Sequence, residues 1–150
     1  MDEIISSALN HAKKASLIGE VPIAAIVFHP ETKEIITQTH NLVETLNDPT
    51  AHAEMLAIRE SCGKIQNKHL NHLAIFITLE PCAMCMQAMC FAQFKTIYFG
   101  AYDYKKGAIS THSGIISSRM NNYKPEIFGG FKESECSELI SSFFKMIRKD

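Results

Sequence analysis

"LAIFITLEPCAMCMQAMCFAQFKTIYFG", residues 73–100, reads as strand, helix and strand in immediate succession. Residues 73–79 are a nearly unbroken apolar run, the pattern of a strand covered on both faces. Residues 82–92 read as a helix, and Pro81 suits its entry, where a missing N–H costs little. "TIYFG" (96–100) returns to β-branched and aromatic residues. Two buried strands joined through a helix predict a right-handed parallel crossover. That unit decides the class, because a parallel sheet must be covered by helices.

Working outward, "VPIAAIVF" (21–28) is a second short apolar run, "HPETKE" turns the chain, and "IITQT" (35–39) returns as a hairpin partner. Helical spacing of Ile4, Ile5, Ala8, Leu9, Ala12 and Ala15 predicts an amphipathic helix over 2–17. A polar loop with Asn47, Asp48 and Pro49 leads into a helix over 52–62. Cys136, Leu139, Ile140, Phe143, Phe144 and Ile147 keep i, i+3, i+4, i+7 spacing, so a last long helix packs one face onto the sheet. Apolar strands flanked by helices imply an α/β protein, a three-layer α/β/α sandwich with a mixed central sheet. No repeat, low-complexity tract or linker divides residues 1–150, which read as one domain.

Hydrophobic residues make up 46% and charged residues 21% of the 150, ordinary for a soluble globular chain. "MDEIISSALNHAKKA" has no apolar core of a signal peptide, and no stretch approaches the ~20 apolar residues of a membrane span. The expected location is the cytoplasm. Net charge is −1 and the pI is near 6.6, which lacks the basic footprint usual for nucleic-acid partners. Basic residues do cluster locally, at Lys105 and Lys106 and in the tail at Lys145, Arg148 and Lys149; solvated lysines suited to a helix C-terminus are the plainer account of the tail. Five cysteines, an odd number, in a chain without an export signal point away from disulfides and toward metal binding or reactivity.

Cys82 and Cys85 stand three apart at a helix start, so both sulfurs share one face, and the helix N-terminus favours thiolate. Alone, such a pair is equally a redox couple or two core cysteines. "PTAHAEMLAIRE" (49–60) supplies the second half, with His52 and Glu54 in the first turn of another helix. One imidazole and two thiolates make three protein ligands and leave a fourth position open, the design of a catalytic zinc. Zn²⁺ with that set is formally neutral, so it acidifies water less than a site of neutral ligands. A nearby base is then useful, and Glu54 can take the proton and return it to a substrate nitrogen. Cys62, Cys90 and Cys136 read instead as small buried hydrophobes.

His52-Ala53-Glu54 with Pro81-Cys82-Ala83-Met84-Cys85 fits the H-x-E…P-C-x-x-C signature of zinc-dependent nucleobase deaminases, whose ligand and acid/base roles are general knowledge for that chemistry. Within that superfamily the chain resembles the bacterial tRNA-specific adenosine deaminases. The likeness runs from "EVPIAAIV" to "FFKMIRK" and is carried best by "HNLVETLNDPTAHAEMLAIR", "TLEPCAMC", "IYFGAYDYKKGA" and "SECSELISSFFKMIR". It implies a cytidine-deaminase-like fold, one zinc per subunit on His52, Cys82 and Cys85, and Glu54 as proton shuttle. It further implies Asn41 hydrogen-bonded to the purine, Val21 packed on the base and Asp103 in a loop near the RNA. The implied reaction is hydrolytic conversion of the wobble adenosine of an arginine tRNA anticodon to inosine, by zinc-activated water attacking C6. The implied partners are the anticodon stem-loop and a second copy of the chain, with no membrane.

The chain departs from the family pattern at Ala24, Met86-Gln87, Phe91, Gln93 and Ser110-Thr111, none of them a metal ligand or Glu54. Two other readings use the same residues. A free guanine or cytosine deaminase would share the chemistry, and a non-catalytic zinc or RNA-binding module would need the cluster without Glu54.

Overall fold

The computed structural model describes residues 1–111, 114 and 121–149. Helix α1 (Asp2–Leu17) is followed by strands β1 (Ala24–Phe28) and β2 (Ile35–His40), a short α2 (Val43–Leu46) and α3 (Ala53–Ile65). Then come β3 (Ala74–Leu79), α4 (Ala83–Ala92), β4 (Thr96–Ala101), β5 (Glu126–Phe128) and α5 (Glu133–Lys149). The strands form one mixed sheet in the order β2-β1-β3-β4-β5. β1 pairs antiparallel with β2 and β3, whereas β3–β4 and β4–β5 are parallel.

Side chains of a strand alternate between faces, and here both faces are apolar. Ala25, Val27, Ile75 and Ile77 join Ala57 of α3 and Cys85, Met86 and Met89 of α4 in one core. Ile26, Phe28, Ala74 and Phe76 join Ile4, Ile5 and Ala8 of α1 in the other. All five residues of β1 are buried, while edge strand β2 alternates toward solvent. The α/β/α layering and the parallel β3–α4–β4 unit agree with the sequence reading.

Three local readings change. β1 begins at Ala24 rather than residue 21, because Pro22 offers no N–H for a ladder and the Ile23 N–H turns back to the Val21 carbonyl at 2.8 Å. β5, read as irregular chain, is a strand: its three residues pair with β4, as in Ile97 against Ile127, and Tyr98 stacks on Phe128 at 5.7 Å. The apolar stripe of α5 is divided. Cys136 and Phe143 are buried, but Phe144 is 40% and Ile147 52% exposed. α5 lies close on β4 because Gly100 has no side chain; a Cβ there would sit 2.4 Å from Cys136 Sγ. No helix among the described residues is long and apolar enough to cross a membrane.

Candidate active site

His52 and Cys82 occupy the same structural position, the residue capping the N-terminus of α3 and of α4. Such positions favour Ser, Thr, Asp or Asn, whose side chains bond the orphan N–H groups. Neither His52 nor Cys82 makes a capping bond. Both turn toward each other instead: His52 Nδ1 lies 3.8 Å from Cys82 Sγ and 3.5 Å from Cys85 Sγ. The three ligand atoms all lie within 4.8 Å of one another. Zinc bonds of about 2.3 Å to sulfur and 2.0 Å to nitrogen, arranged tetrahedrally, put N and S about 3.5 Å apart. The donor set therefore fits zinc in chemistry and in spacing.

Electrostatics agree with a site built for a cation. The Cys85 thiol donates to Cys82, and with His52 also facing it, Cys82 is lowered to about 4 against its partial burial. Cys85 is driven far above the ordinary thiol range by the same hydrogen bond and by burial. His52 is raised, chiefly by its bond to Cys82. Two helix N-termini converge on this negative charge and favour it.

Glu54, in the first turn of α3, is only 4% exposed and lines a cleft of about 830 Å³ together with His52 and Cys82. Burial is the main cause raising its carboxyl to about 7; its own N–H, the His52 charge and the Cys85 thiol act in the opposite direction. Val21 and Asn41 line the same cleft, as does Asp103. Asn41 Oδ1 accepts the Ala53 N–H at 3.0 Å, capping α3 in place of His52. That bond takes one of the two lone pairs of the oxygen and fixes the amide at the wall of the cleft. Asp103 Oδ1 accepts the N–H groups of Lys105 and Lys106, each at 3.0 Å. Lys105, Lys106 and Arg148 all reach this cleft, with Ile140 and Phe144 from the outer half of the α5 stripe.

Glu80 is the residue the sequence reading passed over. It is 2% exposed, and its oxygens accept the N–H groups of Asp103 (3.1 Å), Ile109 (3.0 Å) and Ser110 (2.8 Å) and the Ser110 hydroxyl (2.5 Å). Segment 103–110 is thus tied to the residue two before Cys82. Gly107 is required there, since a Cβ would lie 2.0 Å from Glu80 Oε2. The available signal was an acidic residue at the end of a buried strand, which cannot remain without donors. Glu20 does the same on another wall, accepting the Thr45 N–H at 2.6 Å and hydroxyl at 2.9 Å.

The departures from the family pattern fall around, not within, the metal cluster. Gln87 exchanges two hydrogen bonds with Asn121, at 2.7 and 3.0 Å. Gln93 ends α4 in a left-handed conformation, Phe91 is exposed, and Ala24 is buried in β1. Ser110 serves Glu80, and the Thr111 hydroxyl donates to the Gly107 carbonyl at 2.7 Å. Cys90 and Cys136 are buried as expected; Cys62 is only half-buried, its sulfur 3.8 Å from the Lys68 carbonyl.

Comparison with known proteins gives a consistent result. The cytidine and deoxycytidylate deaminase zinc-binding region matches residues 1–101. A tRNA-specific adenosine deaminase of Aquifex aeolicus is 41% identical over 143 residues, covering 95% of this chain and 93% of that protein. A structure from studies of A-to-I editing by tRNA deaminases at the wobble position superposes with a TM-score of 0.88 at 34% identity, covering 93% of this chain and 99% of the other. The guanine deaminase of Nitrosomonas europaea shares the fold, with a TM-score of 0.79 at 18% identity over 93% of this chain and 82% of its own. With the signature residues gathered at two facing helix starts and relatives matched almost end to end, the chain belongs to the cytidine and deoxycytidylate deaminase family and, within it, to the tRNA-specific adenosine deaminases.

Proposed function

We propose that this protein hydrolyses the wobble adenosine of a tRNA anticodon, that of an arginine tRNA, to inosine and ammonia. The observation that carries the reading is Glu54, a buried carboxyl beside the His52–Cys82–Cys85 cluster at the floor of an open cleft. His52 Nδ1 and the two sulfurs would hold one zinc ion. When bound, the ion supplies Lewis-acid polarisation that makes water nucleophilic near neutral pH.

The remaining steps belong to the chain. Glu54 accepts the proton released as water adds to C6 of adenine, and delivers it to N1. A second transfer through the same carboxyl protonates the departing amine, so water is consumed and ammonia released. Asn41, held by the Ala53 N–H on its oxygen, orients the base through its side-chain amide. Val21 contributes apolar contact to the base. Asp103 shapes the loop that presents Lys105 and Lys106, whose ammonium groups suit phosphates.

An anticodon base can be splayed into such a cleft because loop bases are unstacked at small cost. The modest overall charge is compatible with this, since the cations gather at the cleft and a homodimer would present two such surfaces. The proposed site of action is the cytoplasm. The plain test is to incubate purified zinc-loaded protein with anticodon stem-loop RNA, free guanine and free cytosine. Inosine in the stem-loop is expected; ammonia released only from a free base would reject the assignment.

A further inference from the structure

At the mouth of the cleft stand aromatic side chains that the deamination chemistry leaves without a task. Tyr104 is 76% exposed and lines the cleft. Its ring stacks on Tyr102, with centroids 6.1 Å apart and planes 14° from parallel. Tyr102 is anchored in turn, edge-on to the buried Phe99 at 5.0 Å and 87°. The backbone on either side of Tyr104 is fixed as well, by the Asp103 N–H donating to Glu80 and by the Lys105 and Lys106 N–H groups donating to the Asp103 carboxylate. A large ring is therefore held largely in water on a braced loop, where most of its apolar surface is left uncovered by the fold.

Its neighbours indicate what would cover it. Lys105 and Lys106 follow directly and line the same cleft, and Arg148 approaches from α5. An apolar partner such as a protein helix needs a contiguous apolar patch, which these cations interrupt. Single-stranded nucleic acid needs the reverse: π faces for bases beside ammonium and guanidinium groups for the phosphates. Stacking tolerates any base, because every base has a π face. A free base bound at the floor would have no use for a ring at the rim.

We infer that Tyr104, backed by Tyr102, is a stacking platform for the nucleobase next to the one taken into the cleft of a single-stranded RNA loop. The inference rests on the RNA-editing function proposed above and adds to it a residue that grips the substrate outside the reacting base. Loss of the ring weakens RNA binding and leaves the chemical step intact.

The test uses zinc-loaded full-length protein and an anticodon stem-loop carrying fluorescent 2-aminopurine immediately 5′ or 3′ of the target adenosine. Tyr104→Ala removes the ring; Tyr104→Leu keeps apolar contact with Tyr102 but has no π face; Tyr104→Trp enlarges the platform. Alanine and leucine should each raise Kd and KM about 5- to 150-fold, the worth of one stacked base. Turnover at saturation should stay within about twofold, and tryptophan should restore wild-type affinity. Aminopurine at one flank should be quenched by wild type and Tyr104→Trp and remain bright with the other two. Wild-type KM and fluorescence at both flanks in Tyr104→Ala and Tyr104→Leu, with inosine still formed, would overturn the platform and leave the editing function standing. Wild-type protein that neither binds nor deaminates the stem-loop would remove both.

Discussion

Glu54 and Glu80 line one cleft, one at the start of α3 and the other at the joint between β3 and α4, and both are buried. What differs is what answers them. Glu80 receives three backbone N–H groups and a hydroxyl, so both oxygens are spoken for and the carboxylate acts as a tie. Glu54 has its own N–H and the Cys85 thiol, too little to offset burial, and it is raised to about 7. A carboxyl with few donors exchanges a proton near neutrality, whereas one saturated with donors holds a shape. Under the proposed mechanism the same residue type takes two duties, according to how many N–H groups the backbone aims at it.

The harshest way to probe this contrast is to remove one of the proposed zinc ligands. His52→Ala should bring zinc content close to zero and abolish deamination, leaving Glu54 with no activated water while the Glu80 tie persists. Full metal occupancy in that variant, by elemental analysis, would take His52 out of the ligand set. Glu54→Gln comes next. It should lower kcat by about 10²- to 10⁴-fold, the usual worth of general acid–base catalysis, with zinc content and RNA affinity retained. A loss smaller than tenfold would end the distinction between the two glutamates.

Glu80→Gln tests the other side. An amide NH₂ would face the N–H groups of segment 103–110, and each buried donor left unpaired costs about 1–3 kcal/mol. Melting should fall by roughly 2–4 °C for each kcal/mol in a chain of this size. KM for RNA should rise more than kcat falls, with the pH profile of kcat unchanged because Glu54 is untouched. Unaltered melting and KM would show that segment 103–110 holds itself.

The smallest effect concerns Glu20, a second tie. Burial pushes its carboxyl up, but the Thr45 N–H and hydroxyl outweigh this, and the net position is below the ordinary value. Because the folded pKa is the lower one, its stabilisation is complete above the unfolded pKa of about 4.3 and is lost as pH falls through the folded value. Glu20→Gln should therefore flatten the acid-side fall of Tm below about pH 4.3. A steeper fall in the variant would contradict the sign.

Local patterns carried much of this molecule. Apolar residues at helical spacing placed α1 and α5, and short unbroken apolar runs placed the central strands, without knowledge of their neighbours. The grouping of His52 with Cys82 and Cys85 was legible for a related reason: each half lies within one turn of a helix start. Tertiary structure alone settled the rest. β5 is defined by its pairing with β4, the α5 stripe divides into buried Cys136 and Phe143 and exposed Phe144 and Ile147, and the Asn41 oxygen caps α3 through the Ala53 N–H. The sequence singled out Glu54 by its place beside His52, but it gave no sign of the duties of Glu80 and Glu20, whose backbone donors are more than twenty residues away until the chain folds.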